Sequence, residues 1–276
     1  SCTIFYQRIK MIINLAVLMT SYNRKAKTLQ SISKLYLQND INNINLEIFL
    51  VDDASKDGTS NFVKKKFPNV NIIKGNGKLY WGGGTSLAWE EAIKRKNFDY
   101  YLWLNDDTYL KKNALNILLS AQNFLKTDRF IVVGSTYDSI KKERSYGGYK
   151  SLNNKIRVFK YLEINPNNNF QYIDRFNGNI VLISNNAFLK IGKFNKSLTH
   201  NLGDIEYSIR ASNKNIPIVL APNYLGICNH DIKRKNIRDL FYGKTLLKTY
   251  FLFTKKYGGI FWFLHFLSAI FAIYKH

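Results

Sequence analysis

A chain of 276 residues can hold one large domain with an appendage, or two small ones, and its 46% hydrophobic content excludes a disordered polymer. Lys and Arg number 41 against 19 Asp and Glu, and the net charge of +22 favours anionic partners (nucleic acid, acidic lipid or phosphorylated substrates) without choosing among them. The two cysteines, Cys2 and Cys228, do not support a disulfide framework and belong to no zinc-binding cluster.

Met11 is read as a start, and the apolar stretch at 14–19 is too short for a signal peptide because Ser21-Tyr-Asn-Arg24 breaks it. Residues 15–19 read as a buried strand. Residues 25–38 have a helical period, with Leu29, Ile32, Leu35 and Tyr36 on one side. A second strand over 46–51 ends in Asp52-Asp53, a helix follows over 57–67, and a third strand covers 70–73. The pattern then predicts a helix over 85–95, a strand over 100–104 ending at Asn105-Asp-Asp107, and an amphipathic helix over 111–125. Strands alternating with helices of this length argue for βαβ units. The fold class is therefore α/β, with a mostly parallel central sheet flanked by helices. Residues 137–171 are polar and rich in Asn and Lys, which suits a hairpin or loops. Order returns over 176–184, followed by helices near 185–191 and over 204–213 and a strand over 216–221. There is no internal repeat.

Residues 231–276 differ in composition. They carry nine Lys or Arg and two Asp, a local charge of +7, with a dense aromatic run over 251–274. The stretch 260–274 is apolar apart from His265 and Ser268, but its 15 residues fall short of the ~20 that a bilayer span needs. Flanking Lys255, Lys256 and Lys275, together with Trp262 and several Phe, suit a helix lying in the headgroup region of an anionic membrane. The blander reading packs this helix on the core, or on a twin subunit in a homodimer. The expected division is thus a domain over 11–230 and a C-terminal helical, basic and aromatic, membrane-associating extension over 231–276.

Three acidic clusters carry the candidate chemistry. In parallel α/β sheets ligands bind outside the carboxyl ends of the strands, and Asp52-Asp53 and Asp106-Asp107 fall there. A carboxylate pair at a strand end is costly unless a positive group compensates, and a divalent cation with hard oxygen ligands is the usual solution. The third cluster is Asp204 and Glu206. Two residues apart on a helix, they point to different sides, so one faces a site and the other a structural partner such as Arg210, four residues on. Each cluster also has a plainer explanation as a turn or helix cap.

Taken in order, Thr20-Ser-Tyr-Asn-Arg24, Val51-Asp-Asp-Ala-Ser-Lys-Asp-Gly-Thr59, Asn76-Gly77, Trp81-Gly-Gly-Gly84 and Asn105-Asp-Asp107 resemble the family 2 glycosyltransferases with the GT-A (Rossmann-like) fold. Phe176-Asn-Gly-Asn179, Ile191-Gly-Lys-Phe194 and the segment 203–210 continue the likeness, which covers roughly residues 11–230. The set most resembles bacterial members that build surface polysaccharides, including rhamnosyltransferase-like proteins. Gly203 departs from the pattern, standing where the family usually has Glu.

The resemblance implies an inverting, metal-dependent glycosyltransferase of the hexosyltransferase type, using Mn²⁺ or Mg²⁺ and a UDP- or dTDP-linked sugar donor. The implied acceptor is a glycan or polyprenyl-diphosphate-linked hydroxyl, and the implied setting is the cytoplasmic face of the cell membrane, with peripheral attachment. Thr20, Tyr22 and Arg24 would line the nucleotide pocket. Asp52 would accept the imide N–H of the base, with Asp53 assisting. The loop 76–84, with Asn76, Trp81 and Gly83, would approach nucleotide and sugar closely, where glycine lets backbone come near. Asp107, with Asp106 beside it, and His230 would hold the metal on the diphosphate. Asp204 would be the general base, with Glu206 the alternative. A metal-dependent nucleic-acid-binding or nucleotidyl-transfer enzyme is the rival. It leaves Thr20-Ser-Tyr-Asn-Arg24 without a role, and no nucleic-acid-binding motif is present. Gly82-Gly83-Gly84 is not a dinucleotide-binding GxGxxG and does not follow the first strand.

Overall fold

A computed structural model describes residues 12–152, 161–198, 202–229, 251–257, 263, 266 and 267. The first half follows the predicted alternation: β1 (Ile13–Ser21), α1 (Lys25–Tyr36), β2 (Ile44–Asp52), α2 (Thr59–Lys66), β3 (Asn71–Lys74), α3 (Tyr80–Arg95), β4 (Tyr100–Leu104), β5 (Tyr109–Leu110) and α4 (Ala114–Leu125). The second half is richer in strands: β6 (Ile131–Asp138), β7 (Glu143–Tyr146), β8 (Gly148–Ser151), β9 (Tyr161–Ile164), β10 (Gln171–Tyr172), β11 (Arg175–Phe176), β12 (Ile180–Ser184), α5 (Asn185–Ile191), α6 (Gly203–Asn213) and β13 (Ile218–Ile227).

The main sheet runs β10-β13-β6-β12-β4-β1-β2-β3. Ladders β1–β2, β1–β4, β2–β3 and β6–β13 are parallel, four of the seven along that path. The strand β12 is reversed between β4 and β6. Strands β4 and β12 are buried along their whole length, as strands covered on both faces must be. Because side chains alternate along a strand, β1 feeds two cores. Ala16 and Leu18 join the layer that contains Trp89, Trp103 and Tyr207, from α3, β4 and α6. Leu15, Val17 and Met19 pack with Ile32, Leu35, Leu115 and Leu118, from α1 and α4.

The polar stretch over 137–171 is not a single hairpin. Part of it folds as β7 against β6, and β8 and β9 join β11 in a separate three-stranded sheet. The helix predicted over 85–95 starts earlier, at Tyr80, so Gly82, Gly83 and Gly84 lie in its first turns and the expected loop 76–84 is shorter. Glycine disfavours helix by about 1 kcal/mol per residue. Packing overrides that preference here, because a Cβ at Gly84 would overlap the side chain of Thr20 on β1. Gly84 lets α3 lie hard against the strand.

No helix among the described residues is long and apolar enough to cross a membrane. Of the expected extension 231–276, only 251–257, 263, 266 and 267 fall among the described residues. Residues 251–257 are helical, and Phe253 packs with Leu198, Ile205 and Ile209.

Candidate active site at the sheet edge

Strand register gathers the motifs. Ser21 pairs with Asp52 and Asp52 with Lys74, so the loops after β1, β2 and β3 leave the sheet side by side. Leu104 pairs with Ile180 on the reversed β12, which brings the Asn177-Gly-Asn179 turn to the same edge as Asn105-Asp-Asp107. The first two loops are latched together. Asn23 donates its N–H to Ser55 Oγ (2.9 Å), Lys56 N–H donates to Asn23 Oδ1 (2.7 Å), and Lys25 N–H donates to Asp57 Oδ2 (2.8 Å).

The two carboxylates after β2 hold backbone. Asp52 Oδ1 accepts the N–H of Ser55 (2.9 Å), and Oδ2 accepts the N–H (3.2 Å) and the hydroxyl of Ser60 at the start of α2. Asp53 is fully buried. Its Oδ1 accepts Gly77 N–H (2.7 Å), and its Oδ2 accepts Leu79 and Tyr80 N–H (both 3.1 Å). The N-cap residue of α3, Leu79, makes no side-chain cap of its own, so Asp53 caps this helix from the neighbouring strand. Its carboxylate thus shapes the loop that carries Asn76, an exposed residue whose own side chain accepts Lys78 N–H (2.9 Å). Asp53→Ala should cost about 2–4 kcal/mol of stability, because a cap is lost and buried N–H groups are left unpaired. A wild-type urea midpoint would show that Asp53 does not cap α3.

The pair after β4 is different. Asp106 is 4% exposed, and its Oδ2 is buried with no hydrogen-bond partner among the described residues. Arg24 bridges the pair, with Nη1 3.2 Å from Asp106 Oδ1 and 2.7 Å from Asp107 Oδ2. Burial raises the Asp106 carboxyl to about 6 against the lowering effect of Arg24, with Asp107 raising it further. On the other side the Cys228 thiol donates to Asp107 Oδ1 at 3.6 Å. Burial, then Asp107, pushes that thiol up to about 12, so it stays protonated and able to donate. His230 lies outside the described residues. Among the described residues no group of three or more His, Cys, Asp or Glu side chains is placed to hold a metal ion. The pair nevertheless fits a hard divalent cation, supplying oxygen donors, one of them an orphaned carboxylate oxygen.

Asp204 lies across a cavity of about 280 Å³ lined by Trp81, Asn105, Tyr146, Asn177, Gly178, Asn179, Leu202 and Ile205. Backbone N–H groups fix its carboxylate, Gly178 on Oδ2 (3.0 Å) and Ile205 on Oδ1 (2.8 Å). Loss of solvent raises its carboxyl to about 6, although both N–H groups act to lower it. Trp81 donates its indole N–H to Asn105 Oδ1 (2.7 Å), and its ring meets Trp103 and Phe194 edge-on. A Cβ at Gly178 would overlap the Trp81 ring. The same steric logic explains Gly203, because a Cβ there would overlap the ring of Phe194. The aromatic side chain occupies the space where a larger residue at 203 would begin.

Glu206 points away from the cavity, as its spacing from Asp204 predicts. It is 1% exposed, and its two oxygens accept Arg210 Nε–H (3.0 and 2.9 Å), with Lys256 Nζ (3.2 Å) and Tyr257 OH (2.8 Å) on Oε1. Of the predicted residues, then, Trp81 and Asp204 share the cavity and Arg24, Asp106 and Asp107 are in direct contact. Thr20 is packed under α3, Tyr22 is half-buried beside the Arg24 loop, and Gly83 lies within α3. Asn105, Asn177 and Asn179 belong to motifs visible in the sequence but carried no expected role. Tyr146 had no signal at all.

Residues 16–190 match the family described as glycosyl transferase family 2. No curated protein matches the chain by sequence. The crystal structure of S. aureus TarS is similar, at 12% identity and TM-score 0.57, over 88% of this chain and 39% of that one. The crystal structure of GalNAc-T7 with UDP, GalNAc and Mn²⁺ is similar at 13% identity and TM-score 0.62, over 81% of this chain and 44% of that one. This chain therefore spans less than half the length of either protein. At these identities the likeness shows the fold, the GT-A arrangement of a mixed, mostly parallel sheet between helices.

Proposed function

The chain belongs to glycosyl transferase family 2, and on that premise we propose that it moves a sugar from a UDP- or dTDP-linked donor to an acceptor hydroxyl with inversion of the anomeric carbon. The observation that carries the proposal is the shared cavity. Asp204 on α6 and Asn105, next to the Asp106–Asp107 pair, line one space, so a candidate proton acceptor and the end of the strand proposed to hold the diphosphate border the same small volume. A carboxylate raised to about 6 is mostly ionised at neutral pH and is a stronger base than an ordinary one. Asp204 would take the proton of the attacking hydroxyl in the single displacement that inverts the centre. Thr20, Tyr22 and Arg24 would line the nucleotide pocket and Asp52 would accept the imide N–H of the base, with Asp53 fixing the neighbouring loop, and Asn76, Trp81 and Gly83 would flank the sugar. Asp106, Asp107 and His230 would hold Mn²⁺ or Mg²⁺, which when bound would neutralise the departing diphosphate. Cys228 contacts Asp107 two residues before His230, so the chain passes the pair just ahead of that histidine.

The proposed acceptor is a glycan or polyprenyl-diphosphate-linked hydroxyl in bacterial surface polysaccharide synthesis. The proposed domain is 11–230, and 231–276 is proposed to lie on the anionic inner face of the cell membrane or to pair with a twin subunit. The net charge of +22 and the basic, aromatic composition of 231–276 support that setting. Calorimetric titration of UDP and dTDP, each with and without Mn²⁺, against wild type and Asp107→Ala tests the reading. Metal-dependent binding of one nucleotide, lost in the variant, is expected. Absence of binding for both nucleotides under every metal condition would sink the proposal.

A further inference from the structure

Arg24 occupies the very carboxylates assigned to a cation. Its Nη1 lies 2.7 Å from Asp107 Oδ2 and 3.2 Å from Asp106 Oδ1, and its side chain is 40% exposed while those of its partners are 13% and 6%. The carboxylates are fixed by the fold. The guanidinium, by contrast, belongs to the residue that caps the start of α1 and keeps part of its side chain in solvent. A guanidinium keeps its charge at any ordinary pH, so it cannot make way for a second cation by losing a proton. A divalent ion on the same oxygens would meet it at a distance where like charges repel strongly. Guanidinium groups also bind phosphate oxygens in a forked, charge-assisted geometry, and a diphosphate is the anion a nucleotide-sugar would bring.

We propose that Arg24 is a placeholder cation: it neutralises the Asp106–Asp107 pair while the donor is absent and moves onto the donor's diphosphate when the donor arrives, freeing the pair for the metal. The proposal rests on the reading of this pair as the metal-holding group. It makes metal and nucleotide binding mutually dependent, and such coupling is reciprocal. Metal alone must displace Arg24 and binds weakly. Metal with nucleoside diphosphate binds after Arg24 has a new partner. A residue that merely touched the nucleotide would leave affinity for the bare metal unchanged, so that affinity is the diagnostic quantity.

Mn²⁺ binding, followed by electron paramagnetic resonance, is measured for wild type, Arg24→Met and Arg24→Lys, first with Mn²⁺ alone and then with UDP or dTDP present. Arg24→Met should bind Mn²⁺ alone on the order of tenfold more tightly than wild type, and the nucleotide should enhance its Mn²⁺ affinity far less. Arg24→Lys keeps the charge and should stay as weak as wild type, which separates charge from loss of fold. Adding Asp107→Ala to Arg24→Met should abolish the gain. Unchanged or weaker Mn²⁺ binding by Arg24→Met, with nucleotide-dependent Mn²⁺ binding intact in wild type, overturns the placeholder and spares the metal site. No Mn²⁺ binding by any of the proteins, with or without nucleotide, overturns both.

Discussion

Asp204→Asn is expected to reduce turnover by about 10²–10⁴-fold, the usual contribution of a positioned acid or base, while nucleoside diphosphate affinity stays near wild type. The asymmetry follows from geometry. Asp204 lies on α6, lining the same cavity as Asn105 beside Asp106 and Asp107, and its carboxylate is held by the backbone N–H groups of Gly178 and Ile205. Replacing it by the amide removes the proton acceptor and keeps the shape. One of the two N–H groups would then face an amide NH₂, so some loss of stability accompanies the change and circular dichroism must establish folding. Retained turnover in a folded variant would move the base elsewhere.

The same residue, acting as the proposed base, should set an acid limit. Its carboxyl is raised to about 6, and only the ionised form accepts a proton. Activity should therefore be present above that value and fall as pH drops through it, to about one tenth at one unit below. Asp106 is raised to about 6 as well, so the profile should be recorded at saturating Mn²⁺, where metal-bound carboxylates stay deprotonated. A kcat/KM profile flat from pH 7 to 5 under those conditions would exclude Asp204 as the base.

Much of this arrangement was legible because the parallel half of the sheet obeys simple periodicity. Strands β1, β2 and β4 are short apolar runs that end in polar motifs, and the chain's alternation alone puts those ends on one edge. Other parts were set by contacts no local pattern carries. Strand β6 is not among the expected elements, although Phe130-Ile-Val-Val is a short apolar run of the kind a buried strand shows. The early start of α3 carries three glycines into the helix against their propensity, and one of them, Gly84, is required by its close fit to Thr20, a tertiary fact. Asp53 reads as half of an acidic pair, yet its oxygens are directed at backbone N–H groups 24 to 27 residues away. Gly203 reads as a defect in a motif until Phe194 is seen filling the space beside it.

Glu206 supplies the contrast to Asp204, since the two carboxylates share a helix. Glu206→Ala should lower stability by about 3 kcal/mol, because breaking a buried ion pair from one side strands the remaining charge. The lower end of the usual cost applies because Arg210 and Lys256 are 20% and 55% exposed and can partly regain solvent. Arg210 also donates to the carbonyls of Ile191 and Lys193 (both 2.9 Å), so Glu206 sits between α6, the end of α5 and the helical residues 251–257. Its loss should lower the urea midpoint while the surviving folded fraction keeps the acid limit near 6, since Asp204 is untouched. Wild-type stability with abolished turnover would reverse the assignment and make Glu206 the base. The two variants thus form a crossed test on a single helix, with rate expected to fall at Asp204 and stability at Glu206.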